Sequence, residues 1–291
     1  MSIRVTPLLL MCAVLTLGAV AQKRELTYQL AEGTTIKYKR LENTTGMAHT
    51  MKGLLTEMNK SVESFLTIRV EKSSPEQLVL TVVQDTALVT DRAVSQSPGV
   101  DFDNVLTRRP VRLTLSRKGA LLRAEPLVPL EVQGSPIPVN PGTFARRAMV
   151  FPSLPARTLS VGDTWTDSVS DTARPRYKDP TLGEGTGLRY TQAQTNYHVD
   201  SLVKLHGREC IKLTWSGTVS AEGKALFSSS ERFTEDETTV DGTLYVRVSD
   251  GLPVRFTLRT RKQSTVAVFE QESEVLPSSS TTETTLIYLP S

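Results

Sequence analysis

Apolar and polar residues alternate along most of this chain with a period of two. Val62, Ser64, Leu66, Ile68 and Val70 interleave with Glu63, Thr67 and Arg69. Val111-Arg112-Leu113-Thr114-Leu115 follows the same pattern. So do Ile211-Lys212-Leu213-Thr214-Trp215, Leu244-Tyr245-Val246-Arg247-Val248 and Val254-Arg255-Phe256-Thr257-Leu258. Side chains of a strand point alternately to the two faces of a sheet, so each run predicts an antiparallel strand with one apolar and one wet face. Leu78-Val79-Leu80-Thr81-Val82-Val83 is a β-branched apolar run, which also suits a strand.

Turn chemistry separates the runs. Ser116-Arg117-Lys118-Gly119 stands between Leu115 and Leu121, and Ser249-Asp250-Gly251 between Val248 and Val254. Each predicts a hairpin, because a tight reversal needs positive φ at one position and glycine adopts it without cost. Helix signals are few. Residues 141–150 could start a helix with Thr143 as its cap, and Met47 to Met58 reads equally as helix or strand.

The chain repeats itself. At an offset of 133, Leu80-Thr81 falls on Leu213-Thr214, and Val111, Leu113, Leu115 and Ser116 fall on Leu244, Val246, Val248 and Ser249. The halves also open alike, Leu30-x-x-Gly33-Thr34-x-Ile36 against Leu159-x-x-Gly162-Asp163-x-Trp165. A constant offset over separated blocks points to an internal duplication. The join, 126–158, is rich in proline, which removes ladder donors and predicts a linker or crossover. The expected organisation is therefore a segment 1–21, an N-terminal β lobe 22–125, the linker 126–158 and a C-terminal β lobe 159–291.

Residues 1–21 carry a different signal. Arg4 precedes the apolar run Leu8 to Leu17, and Ala19-Val20-Ala21 is a small-residue cleavage site before Gln22. That order is a secretory signal peptide, so export to the periplasm or outside is expected, with cleavage after Ala21. The bulky Met11 before Cys12 argues against a lipid anchor there. No other segment is apolar for long enough to be a membrane helix. Removing Cys12 leaves Cys210 as the only cysteine, which rules out an intrachain disulfide. Loss of Arg4 takes the net charge from +3 to +2, a mixed surface that argues against nucleic acid as partner. Arg108-Arg109, Arg146-Arg147 and Arg259-x-Arg261-Lys262 read as solvated faces. Aromatic residues are 6% of the chain, few for the two girdles of an outer-membrane barrel.

Motifs for chemistry are sparse. His49, His198 and His206 have no metal spacing, and with a single mature cysteine there is no cysteine zinc site, so no metal is expected. No nucleophile elbow occurs, and Gly183-x-Gly185-x-Gly187 leads into Leu188-Arg189-Tyr190, which reads as strand, so no phosphate loop and no cofactor are implied. Asp101, Asp103 and Glu235-Asp236-Glu237 are the densest carboxylates and read as solvated loop groups. Loops are expected at 84–107 and 174–187.

One resemblance joins several of these residues. Leu159-Ser160-Val161-Gly162-Asp163-Thr164-Trp165, Gly242-Thr243-Leu244-Tyr245-Val246 and Asp250-Gly251-Leu252-Pro253-Val254-Arg255 resemble motifs of exported bacterial envelope β proteins. Those are similar in turn to the LolA/LolB-like lipoprotein carriers. The resemblance implies a half-open antiparallel sheet around a hydrophobic cavity, and no catalytic residue.

The expected fold is all-β and mainly antiparallel, either two similar lobes or one large barrel or half-barrel built from both. The expected function is non-catalytic binding of a hydrophobic or lipid ligand or of an envelope protein partner. Trp165, Trp215, Tyr245 and Phe256 are the candidate cavity wall, or else core. Two alternatives stand beside it: an assembly factor acting by protein contact through an edge strand, and a hydrolase using Asp101 or Asp103.

Overall fold

In the computed structural model, the described residues are 24–49, 55–91, 107–128, 151, 153–174, 176–179, 183–227, 230–269 and 273–290. Among these residues there are fourteen strands in chain order. They are β1 (Arg24–Glu25), β2 (Thr35–His49), β3 (Leu55–Ser73), β4 (Gln77–Asp91), β5 (Val111–Ser116), β6 (Leu121–Pro126) and β7 (Thr158–Leu159). The second half supplies β8 (Thr164–Ala173), β9 (Arg176–Asp179), β10 (Gly183–Leu205), β11 (Arg208–Leu226), β12 (Glu231–Arg247), β13 (Pro253–Phe269) and β14 (Ser273–Leu289). The chain is all-β, and no helix occurs among the described residues.

Twelve strands form one antiparallel sheet in the order β6-β5-β4-β3-β2-β14-β13-β12-β11-β10-β8, with β9 also on β10. Each half lays its strands down as a meander, and β14 sits between them, paired to β13 on one side and β2 on the other. The two halves are thus joined in a single sheet.

Both predicted hairpins form. Gly119 (φ 85) turns β5 into β6, and Gly251 (φ 74) turns β12 into β13. A third tight turn, His206-Gly207 (φ 50 and 76), joins β10 to β11. Two successive positive φ values match the twist of the flanking strands. Several expectations are corrected. The loop expected at 84–107 begins as strand, since β4 runs to Asp91, and the loop expected at 174–187 is largely β9 and the start of β10. Glu235-Asp236-Glu237 lies inside β12 rather than in a loop. Met47 and Met58 lie on strands β2 and β3. The segment 1–21, Asp101, Asp103, Arg146-Arg147 and 141–150 lie outside the described residues.

The core occupies one face of the sheet near one end of the strands. Ile36 and Tyr38 of β2, Leu66, Ile68 and Val70 of β3, and Leu78, Leu80 and Val82 of β4 belong to it. Val111, Leu113 and Leu115, near one edge, share it with Ile211 and Leu213, near the other. A sheet whose opposite flanks meet one cluster is curled toward that face, called inner below. Each fully buried Leu or Ile contributes roughly 1.5–3 kcal/mol.

Two straps cover this core. Leu26, Tyr28 and Leu30 from the first, and Phe151, Leu154 and Leu159 from the second, are buried in it. The Tyr28 and Phe151 rings meet edge to face at 5.1 Å, and β1 pairs with β7. Tyr28 N donates to Arg117 O and the next amide, Gln29 N, to Asp250 O, each at 2.9 Å. Those two carbonyls stand in the two hairpin turns and are separated by the repeat offset. The repeat shows again where each strap ends. Gly33 N donates to Val70 O and Val70 N to Thr34 O, both at 2.9 Å; Gly162 N donates to Val199 O at 2.8 Å and Val199 N to Asp163 O at 2.9 Å. Gly33 and Gly162 both have positive φ, 80 and 91. The duplicated sequence builds the same arch twice.

Candidate functional site

Where the apolar core gives out, an aromatic row crosses the inner face. Tyr197 of β10 pairs across the ladder with Trp165 of β8 on one side and Trp215 of β11 on the other. The Trp165 and Tyr197 rings stack at 4.8 Å and 7°. Tyr197 lies 6.5 Å from Trp215, and Trp215 lies 5.4 Å from Phe256 of β13. Trp215 spans the intervening strand because its partner on β12 is Gly242. A Cβ at 242 would fall 2.4 Å from the indole Cζ2. The absent side chain is the space the indole fills, an aromatic ring packed over a strand glycine. The Arg157 guanidinium sits 5.2 Å from the centre of the Trp165 ring, a cation over the electron-rich face.

All four rings are half-buried, and Trp165, Trp215 and Phe256 rest against the core. Burial pushes the Tyr197 phenol above its ordinary range, and the nearby Asp167 carboxylate adds to the effect. Beyond the row the inner face changes character. The next rung holds Asp167, Thr195, Gly217, Val240 and Thr260, and farther over Thr44 and Thr282 bring their hydroxyls within 3.0 Å.

Three of the four residues singled out from sequence, Trp165, Trp215 and Phe256, are thus brought together. Tyr245 is not. It lies between Leu244 and Val246, both buried inward, and its cross-strand partners are Lys212 and Arg255 on the outer face. Tyr197 was missed, although its two-residue spacing from Val199, which is buried inward, places both on one face.

A second inner-face group was read as solvated and is not. Asp236 is buried, with Arg189 and Lys262 on it. Its neighbours in the run 259–262 are ion-paired on the outer face, Arg259 to Glu283 at 3.3 Å and Arg261 to Asp241 at 3.2 Å. Cys210 is buried; burial raises its thiol pKa.

No protein-family model and no curated protein sequence matches this chain. Among solved structures, Salmonella typhi OmpF in complex with daunomycin aligns with 88% of this chain and 98% of its own, at 5% identity and a TM-score of 0.28. A mutant of the Rh. blastica porin aligns over 88% and 99%, at 9% identity and a TM-score of 0.23. An outer membrane channel from Pseudomonas putida F1 aligns over 90% and 98%, at 8% identity and a TM-score of 0.20. TM-scores of this size fall short of a shared fold, so neither the activity nor the location of those proteins is carried over to this chain.

Proposed function

We propose that this chain is an exported, non-catalytic binding protein that holds a hydrophobic or amphiphilic molecule, such as a lipid, on the inner face of its curled sheet. The row Trp165–Tyr197–Trp215–Phe256 carries this reading. Three aromatic rings in register on neighbouring strands, with Phe256 meeting Trp215 across the intervening strand, are half-buried and continuous with an apolar core, and form a ready surface for an apolar ligand. Each ring loses little conformational freedom on contact, because its neighbours already hold it. The signal-peptide pattern before Gln22 supports a location outside the cytoplasm, where amphiphiles pass between membranes.

Native mass spectrometry on the chain from Gln22 onward, purified from its own host without detergent, tests this. A reproducible added mass that extracts into organic solvent is expected. A clean apo mass, together with unchanged tryptophan emission on titration with hexadecanoate and with hexadecanol, would overturn the reading.

A further inference from the structure

Ala221 lies six residues along β11 from Trp215, on the same face, and pairs with Asp236 of β12. That separation is about 20 Å of strand. The Asp236 side chain is 8% exposed. Three donors converge on it: Arg189 Nη2 at 3.1 Å from Oδ2, Lys262 Nζ at 3.0 Å from Oδ1, and Ser264 Oγ at 2.5 Å from Oδ1. Arg189 comes from β10, with β11 lying between it and Asp236. It reaches across because its own ladder partner is Gly223 and the buried residue next inward is Ala221. Neither has a side chain long enough to block the way.

The charges in this cluster do not cancel. Two cations, Arg189 and Lys262, share one carboxylate. The same rung carries one further carboxylate among the described residues, Asp171, on the edge strand three strands from Asp236. Asp236 is buried while the Arg189 and Lys262 side chains are 50% and 43% exposed. A buried carboxylate so arranged holds two cationic groups whose side chains stay about half exposed. Fixed cationic donors of this kind favour a carboxylate or phosphate oxygen. Between them and the aromatic row the inner face of β11 and β12 holds Gly217, Val219, Val240 and Thr238, which are small or apolar groups.

We infer that the ligand is an anionic amphiphile. Its carboxylate or phosphate head sits on Arg189 and Lys262, and its long apolar tail runs along β11 and β12 to Trp215. This rests on the binding function proposed above and adds the headgroup charge, the direction and the length of the ligand.

The test follows tryptophan emission while the mature chain is titrated with hexadecanoate, with uncharged hexadecanol, and with inorganic phosphate as competitor. Arg189→Gln and Lys262→Met are each expected to weaken hexadecanoate binding about tenfold and leave hexadecanol unchanged. Lys262→Arg is expected to keep the affinity, and added salt to weaken hexadecanoate alone. Trp215→Ala is expected to weaken both amphiphiles. Circular dichroism and thermal midpoints check that each variant folds. Equal wild-type affinity for the two amphiphiles, or hexadecanoate binding untouched by both charge variants, would overturn the headgroup site. Phosphate competing as strongly as hexadecanoate would overturn the tail. If neither amphiphile binds, the binding function itself fails, and that outcome is separate from the others.

Discussion

The indole of Trp215 lies across Gly242 on the next strand, where an added methyl carbon would sit 2.6 Å from Cε2 and 2.7 Å from Thr257 O. The glycine is there for close approach; its φ is not among the positive ones. Gly242→Ala should therefore displace the indole and cost roughly 1–3 kcal/mol from overpacking. Both tryptophans of the chain, Trp165 and Trp215, belong to the row, so the emission spectrum reports on it directly. A shifted spectrum and a lowered urea midpoint are expected; an unchanged spectrum in the variant would mean the row is not packed this way.

Arg117 ties the first strap to two turns. Its Nη1 donates to Tyr28 O at 2.6 Å, its Nε to Ser74 O at 2.5 Å and its Nη2 to Ser73 Oγ at 3.1 Å. Ser73 Oγ in turn donates to Leu30 O at 2.7 Å. Arg117→Met keeps the length of the side chain and removes every donor, with an expected loss of roughly 2–4 kcal/mol. Chemical denaturation measures it, and hydrogen exchange at Tyr28 and Gln29 should rise before exchange in β3 does.

The β12–β13 turn packs directly against the first strap. At Gly251 a Cβ would meet Thr27 O at 2.3 Å, and φ is +74. Gly251→Ala therefore suffers both strain and collision, and should destabilise by more than the ~1 kcal/mol that an αL position costs an ordinary residue. A thermal midpoint equal to that of the parent chain would contradict the strap contact.

Two buried phenols set the alkaline limit. Tyr28 and Tyr38 are held well above the ordinary tyrosine range, chiefly by burial, and Tyr38 Oη donates to Pro253 O at 2.8 Å. A folded pKa above the unfolded value favours the protonated form in the fold. That contribution is present below about pH 10 and is lost as pH rises beyond it. Of the seven tyrosines, Tyr28 and Tyr38 should titrate only with unfolding, seen as a late step in phenolate absorbance. Tyr38→Phe should cost about 1 kcal/mol at neutral pH and lessen the alkaline loss.

Cys210 is fully buried and its thiol pKa is raised, so the native protein should not react with a thiol reagent at neutral pH. Complete labelling is expected once denaturant unfolds the chain. Rapid labelling of the native form would place the β10–β11 turn differently.

Local periodicity was enough to read the strands at Val62–Val70, Val111–Leu115, Ile211–Trp215 and Val254–Leu258, because alternation is a property of neighbouring residues alone. Turn chemistry was enough for Gly119 and Gly251; the repeat marked Gly33 and Gly162 as equivalent, and the structure shows that each closes an arch. Tyr245 was read into the cavity wall and is not there: it sits between the inward residues Leu244 and Val246 and so points outward, as the same alternation requires. What local pattern does not contain is the choice of partner. The order β2-β14-β13 makes one sheet of two repeats, and it depends on pairing residues far apart in sequence. Trp215 beside Gly242, and Arg189 over Gly223 to Asp236, are likewise matches between strands, decided by register. Asp236 between two glutamates looks solvated along the chain; it is buried because curling of the sheet and the reach of Arg189 and Lys262 supply the hydrogen bonds that a buried carboxylate requires.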